Sequence, residues 1–137
     1  QIGRDSSKIV GLAAYYLLKK DSKEGLISFL EHKVPGYDLK TPWTGKVPCH
    51  GIATAKAALT VLMSTDSMKE TLIRSVAFGG DTDSVASIAL GILDCYNGRI
   101  DDLPKNLIST CEQGNYGLDY CETLEKQLFD KYHITRS

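Results

Sequence analysis

The sequence predicts an all-α protein, a compact multi-helix bundle, on three observations. Apolar residues recur at helical spacing in several separate stretches, and no stretch alternates with a period of two. The run from Ser84 to Tyr96 is apolar around nearly its whole circumference. Such a helix has to be surrounded by others, so it is the expected centre of a bundle of about six or seven. With 137 residues the chain fits one domain, and a domain of this size removes roughly 68% of its extended-chain surface from water.

The elements follow in order. Ser6 to Lys20 carries Ile9, Ala13, Tyr16 and Leu17 at helical spacing, and Lys19-Lys20 suits the negative C-terminal end of a helix. A shorter helix is expected from Lys23 to Lys33 on Leu26, Ile27, Phe29 and Leu30. Pro35-Gly36 opens the polar connector VPGYDLKTPWTGKVP, whose three prolines and two glycines make the longest break in the chain. From Pro48, the spacing of Ile52, Ala55, Leu59, Leu62 and Met63 gives another helix, with Pro48 in the tolerated first turn. Ser67-x-x-Glu70 has the form of a capping box for a helix running to about Phe78, with Met68, Leu72 and Val76 on one face. Asn97-Gly98 should close the central helix as an αL cap. Asp101-Asp102 with Pro104 should start a short helix, and Tyr116 to Tyr132 should form a last amphipathic one on Cys121, Leu124, Leu128 and Tyr132.

Composition excludes several function classes. Sixteen basic and seventeen acidic residues nearly cancel, and no Lys/Arg cluster is interleaved with aromatics, so neither nucleic acid nor a membrane surface is an expected partner. No segment reaches the roughly 18 to 20 apolar residues of a membrane span, and no basic-then-apolar leader opens the chain. Cys49, Cys95, Cys111 and Cys121 lack CxxC spacing and sit in or beside apolar patterns, which reads as small reduced core residues and a cytoplasmic compartment. The chain begins at Gln1 and runs almost directly into a helical pattern, as expected of a piece of something longer.

The segment FGGDTDSVAS, Phe78 to Ser87, carries the chemistry. Asp81, Thr82, Asp83 and Ser84 could all serve as helix caps, because orphan backbone N–H groups and the helix dipole favour such residues. Capping accounts well for one carboxylate and poorly for the second. Two carboxylates about 5 Å apart repel by on the order of 3 kcal/mol at an effective dielectric of 20, and a cation between them removes that cost. Asp-x-Asp with an adjacent hydroxyl offers hard oxygen ligands suited to Mg²⁺, Mn²⁺ or Ca²⁺ rather than Zn²⁺. Gly79-Gly80 supplies a backbone that lets both side chains turn inward. An EF-hand is the poorer alternative, since after Ser84 only Ser87 offers a further oxygen among apolar residues.

The residues go further than this pattern. GGDTDSVASIALGILDCYNG resembles the signature of the ADP-ribosylglycohydrolase family, all-α enzymes related to dinitrogenase reductase-activating glycohydrolase. TGKVPCHGIATAKAAL resembles the Gly-rich turn and Val-Pro helix upstream of that signature, and LPKNLISTCEQGNYGLDYCETLEKQL resembles its closing segment. The likeness covers Gly3 to Leu128. It implies a binuclear Mg²⁺ or Mn²⁺ site in which Asp81, Asp83 and Ser84 supply the C-terminal half of the ligands, Ser standing where the family commonly has Thr. The other half comes in the family from an N-terminal Ser/Thr-Asp-Asp segment, which this sequence does not contain, so residues 1–137 are expected to form the C-terminal part of one such domain. The family often places a His at the position matched here by Gly3, which puts the pocket in question.

Such a site would hold ADP-ribose, free or attached to a protein, with its distal ribose on two ions, and deliver a bound water to the anomeric carbon. Trp43 stands where family members often place a residue against the adenine. The competing and commoner role for a Trp is to pack its loop onto the core. With Gly79 and Gly80 it completes the candidate substrate contacts. His50 is expected to neighbour a cap, His32 and His133 to lie on the surface, and Tyr116-Gly117 to shape a helix start. The alternatives to an active hydrolase are a catalytically inactive, crystallin-like or ADP-ribose-binding relative of the same fold, and a plain helical module whose DTDS is only a cap.

Overall fold

The computed structural model describes residues 1–20, 22–97 and 102–132. Among these, seven helices follow one another: α1 (Ile2–Lys19), α2 (Leu26–Lys33), α3 (Gly51–Leu62), α4 (Met68–Ala77), α5 (Thr82–Asn97), α6 (Lys105–Ser109) and α7 (Leu118–Tyr132). A parallel bridge between Val47 and Gly80 is an isolated β feature. The expected all-α class is what the protein has. Gly98, Asp101 and His133, expected as a cap, a cap and a surface residue, lie outside the described residues.

Two compact units divide the chain, Gln1–Asp102 and Leu103–Ser137. In the first, α5 packs against α1, α3 and α4, the central role that its apolar run predicts. Val85, Ala89 and Leu93 are fully buried, and Ala86 and Ile92 nearly so. One stripe of α5 stays open to solvent: Asp83, Ser87 and Gly91, spaced four apart and all small or polar. Alpha-helix α3 brings Ala55, Ala57 and Ala58 to the core, side chains short enough for two helices to approach closely. In the second unit the chain turns at Gly117, whose N–H donates to Gly114, before α7 begins.

Several boundaries differ from the expectation. Helix α1 starts at Ile2 rather than Ser6, because the Asp5 N–H bonds back to the Gln1 carbonyl at 3.0 Å. Helix α2 starts at Leu26 rather than Lys23, behind Gly25 in the left-handed conformation. Pro48 is not in the first turn of α3; the His50 N–H closes a tight turn onto the Pro48 carbonyl at 2.7 Å, and His50 itself is the N-cap. The buried face of α4 is Met68, Thr71 and Ser75, with Val76 exposed. Ser75 satisfies its hydroxyl on the Thr71 carbonyl at 2.7 Å, whereas the Thr71 hydroxyl is buried with no hydrogen-bond partner among the described residues.

Helix ends are closed by distant residues. At α4 the Ser67 hydroxyl accepts from the Glu70 N–H at 3.1 Å, the expected half of a capping box. Asp102 does not start the short helix after it; its carboxylate accepts from the Ser67 hydroxyl and from the Met68 N–H at 3.1 Å, at the positive end of α4. Past the C-terminal end of α3, the Lys23 ammonium donates to the carbonyls of Leu62 and Thr65 at 2.6 and 2.7 Å and pairs with Asp66 at 2.6 Å. The cysteines are not core residues: Cys49, Cys111 and Cys121 are exposed, Cys95 is half-buried, and none forms a disulfide. They fall on the polar sides of their helices or in turns, where the apolar pattern around them does not bury them.

Candidate functional site

The turn into α5 is built from its glycines. Val47 donates its N–H to the Gly79 carbonyl and accepts the Asp81 N–H, both at 3.0 Å, so the end of the connector is tied to the start of α5. Gly80 has φ of +83°, and a Cβ there would lie 2.1 Å from the Val47 carbonyl oxygen, so no other residue fits. Gly79 and Gly80 thus act through the backbone, holding Asp81 in place.

Asp81 reaches across to a neighbouring helix. Its Oδ2 accepts from the Thr54 hydroxyl on α3 at 3.1 Å. Thr54 is 4% exposed and Asp81 half-buried. On the far side α1 comes up against α3 so closely that a Cβ on Gly51 would stand 2.6 Å from the Ser6 oxygen. Between α1, α3 and α5 this leaves a cavity of about 590 Å³. From α1 it is lined by Ser6, Ser7, Val10 and Gly11, from the start of α3 by Cys49, His50, Gly51 and Thr54, and from α5 by Asp81, Ser84 and Ile88. The first turns of α3 and α5 both open here, which brings the positive ends of two helix dipoles to the cavity.

The candidate residues are distributed unevenly about it. Asp81 and Ser84 line the cavity; Asp83, two residues on, lies on the exposed stripe of α5 and does not. Trp43 does not line it either. It packs against the core cluster of Val47, Ala57, Ala58, Val85 and Ala89; its indole N–H donates to the Gly45 carbonyl at 3.1 Å and its backbone N–H to the Thr60 hydroxyl at 2.8 Å. Sequence reading missed Ser6, Ser7, Thr54 and the lining role of His50. His50 accepts the Ala53 N–H on Nδ1 at 3.4 Å, which leaves a neutral ring its proton on Nε2. A hydroxyl at position 54 on an alanine-rich buried face was the one available signal.

A second polar cluster braces the start of α1. Asp5, 7% exposed, accepts from the Tyr37 hydroxyl at 2.9 Å and from the Gln1 amide at 3.1 Å. The hydrogen bond to Asp5 raises the Tyr37 pKa above its usual value, with burial and the Asp5 charge adding to it. Further along the connector, hydrogen bonds from Thr41, and then Lys56 at 3.1 Å, hold the exposed Asp38 carboxyl well below the usual carboxylate range.

The oxygen donors in the cavity are a carboxylate and hydroxyls, hard ligands of the kind divalent magnesium or manganese takes, and Cys49 and His50 line it beside them. Among the described residues no cluster of three or more His, Cys, Asp or Glu side chains could hold a metal ion. The donor set therefore fits such an ion in chemistry and is short of carboxylates in number.

The sequence model of the ADP-ribosylglycohydrolase family matches residues 6–136, nearly the whole chain. The chain belongs to the ADP-ribosylglycohydrolase family. Within it, the chain is similar to ADP-ribosylhydrolase ARH3 of Danio rerio, 35% identical over 65 residues. That stretch covers 47% of this chain and 16% of the relative. No solved structure matches. For an ADP-ribosylglycohydrolase the lining of the cavity by Asp81 and Ser84 is the feature to explain.

Proposed function

We propose that the chain is the C-terminal part of a single ADP-ribosylglycohydrolase-like domain. That domain would hydrolyse an ADP-ribosyl N- or O-glycosidic bond and release ADP-ribose from a modified protein or small molecule in the cytoplasm. Asp81, Asp83 and Ser84 would give half the ligands for two Mg²⁺ or Mn²⁺ ions, and an upstream acidic segment of the same fold the rest. The observation that carries this reading is the pairing of Asp81 and Ser84 oxygens in one cavity between α1, α3 and α5. Its volume of about 590 Å³ lies within the range of small-molecule sites. Among the described residues no helix is long and apolar enough to cross a membrane.

Bound divalent ions would supply polarisation of the ribose oxygens and activation of water. The residues of this chain do the rest. Asp81, pinned at its N–H and at Oδ2, presents a fixed negative charge to the cavity. Ser84, one turn into α5, adds a neutral oxygen on the same wall. Asp83 would have to turn in from the solvent side to join them. The helix starts of α3 and α5 direct positive partial charge at the diphosphate of ADP-ribose, and Val10 and Ile88 give the cavity an apolar side against which a sugar or base can lie.

The exposure of Asp83 favours a second reading, an ADP-ribose-binding relative without turnover. One experiment separates the two. The protein bearing an upstream Ser/Thr-Asp-Asp segment is incubated with Mg²⁺ or Mn²⁺ and with arginine-linked and serine-linked ADP-ribosylated proteins. Release of ADP-ribose, lost by on the order of 100-fold in Asp81→Asn, supports the hydrolase. ADP-ribose binding by calorimetry without release supports the inactive relative, and neither result overturns both.

A further inference from the structure

We propose that Thr54 is a positioning residue: its hydroxyl fixes the Asp81 carboxylate so that one oxygen is kept for a divalent cation. This rests on the reading of the cavity as a cation-dependent site. Thr54 lies at 4% exposure among buried residues of α3 that are otherwise Ala, Leu and Val, and a hydroxyl is costly to bury there unless it is bonded. Two acceptors stand within reach of its single proton, Asp81 Oδ2 at 3.1 Å and the His50 carbonyl at 3.2 Å. The His50 carbonyl already receives the Thr54 backbone N–H at 3.0 Å. It does not need the hydroxyl, and a carboxylate is the stronger acceptor. The proton therefore belongs to Asp81.

The consequence is a side chain held at two points. The Asp81 N–H is locked to the Val47 carbonyl at 3.0 Å, and Oδ2 is locked to Thr54 on another helix. Rotation of the carboxylate would break the second bond, so with Oδ2 engaged by Thr54 it is Oδ1 that would be left to hold a cation. Asp83, on the open stripe of α5, has no such brace in sequence reach of α3 and is the adjustable member of the pair. Thr54 does not touch the cation or the substrate in this arrangement; it acts through Asp81.

The test is a Mn²⁺ titration of the full protein, followed by electron paramagnetic resonance, on wild type, Thr54→Val, Thr54→Ser and Asp81→Asn. Loss of the hydroxyl at constant shape should weaken Mn²⁺ binding by about 10-fold or more, as for other groups that orient a ligand, while Thr54→Ser stays near wild type. In the Asp81→Asn background, Thr54→Val should bring no further loss. Equal affinity in wild type and Thr54→Val overturns the proposal, as does an effect of the same size in the Asp81→Asn background, which marks a merely structural role. If Thr54→Val does not fold, Thr54→Ala carries the same comparison. Absence of Mn²⁺ binding in wild type sinks the cation reading itself, and this proposal with it.

Discussion

Tyr37 and Asp5 tie the long connector to the first turn of α1, the turn that carries Ser6 and Ser7 into the cavity. Because the bond to Asp5 raises the Tyr37 pKa in the folded state, the stability it brings is whole below the ordinary phenol value of 10.0. It is lost as pH rises through the folded-state value. Tyr37→Phe should therefore lower the melting temperature near neutrality, where the bond is intact, and flatten the alkaline limb of a profile measured from about pH 8 to pH 11. At this scale the sequence was uneven to read. Asp81 and Ser84 stood out because a charged run behind paired glycines has few purely structural explanations. Thr54 did not, because its partner lies 27 residues away and the only local sign is a hydroxyl on the alanine-rich part of α3. The exposure of Asp83 was legible in principle, since Ser87 and Gly91 continue its stripe at the same spacing.

Elements owe their ends to residues far along the chain. Asp102 closes the N-terminus of α4 from beyond α5, adding a carboxylate to the cap that the Ser67 hydroxyl makes on the Glu70 N–H. Replacing Asp102 by Ala should cost about 1 to 2 kcal/mol in urea denaturation, the usual worth of a lost cap plus a charge at a helix start. The Ser67-x-x-Glu70 spacing announced where α4 begins. It could not announce Asp102, nor that Thr71 and Ser75 rather than Val76 would face α3 and α5. Ser75 can be buried because its hydroxyl bonds the Thr71 carbonyl, an option to which apolar periodicity is blind.

For the molecule as a whole, α5 is the element on which α1, α3 and α4 converge. Leu93, fully buried on it, should cost about 2 to 5 kcal/mol when cut to Ala, and the loss should appear as one shifted transition in thermal denaturation of the Gln1–Asp102 unit. The all-α class and the central helix could be read from hydropathy alone, since helical period and an all-apolar circumference leave few other arrangements. The cavity could not, because it is assembled from three helices separated by the connector and α4. Only the family resemblance linked those stretches before the fold did.

The short strap from Val47 to His50 behaves as a ruler. One end is fastened to Gly79 and Asp81 by two hydrogen bonds, and the other caps α3 through Ala53. Its length sets the register between Thr54 and the Asp81 carboxylate. The strap has no room for an added residue, which would slide one wall of the cavity past the other.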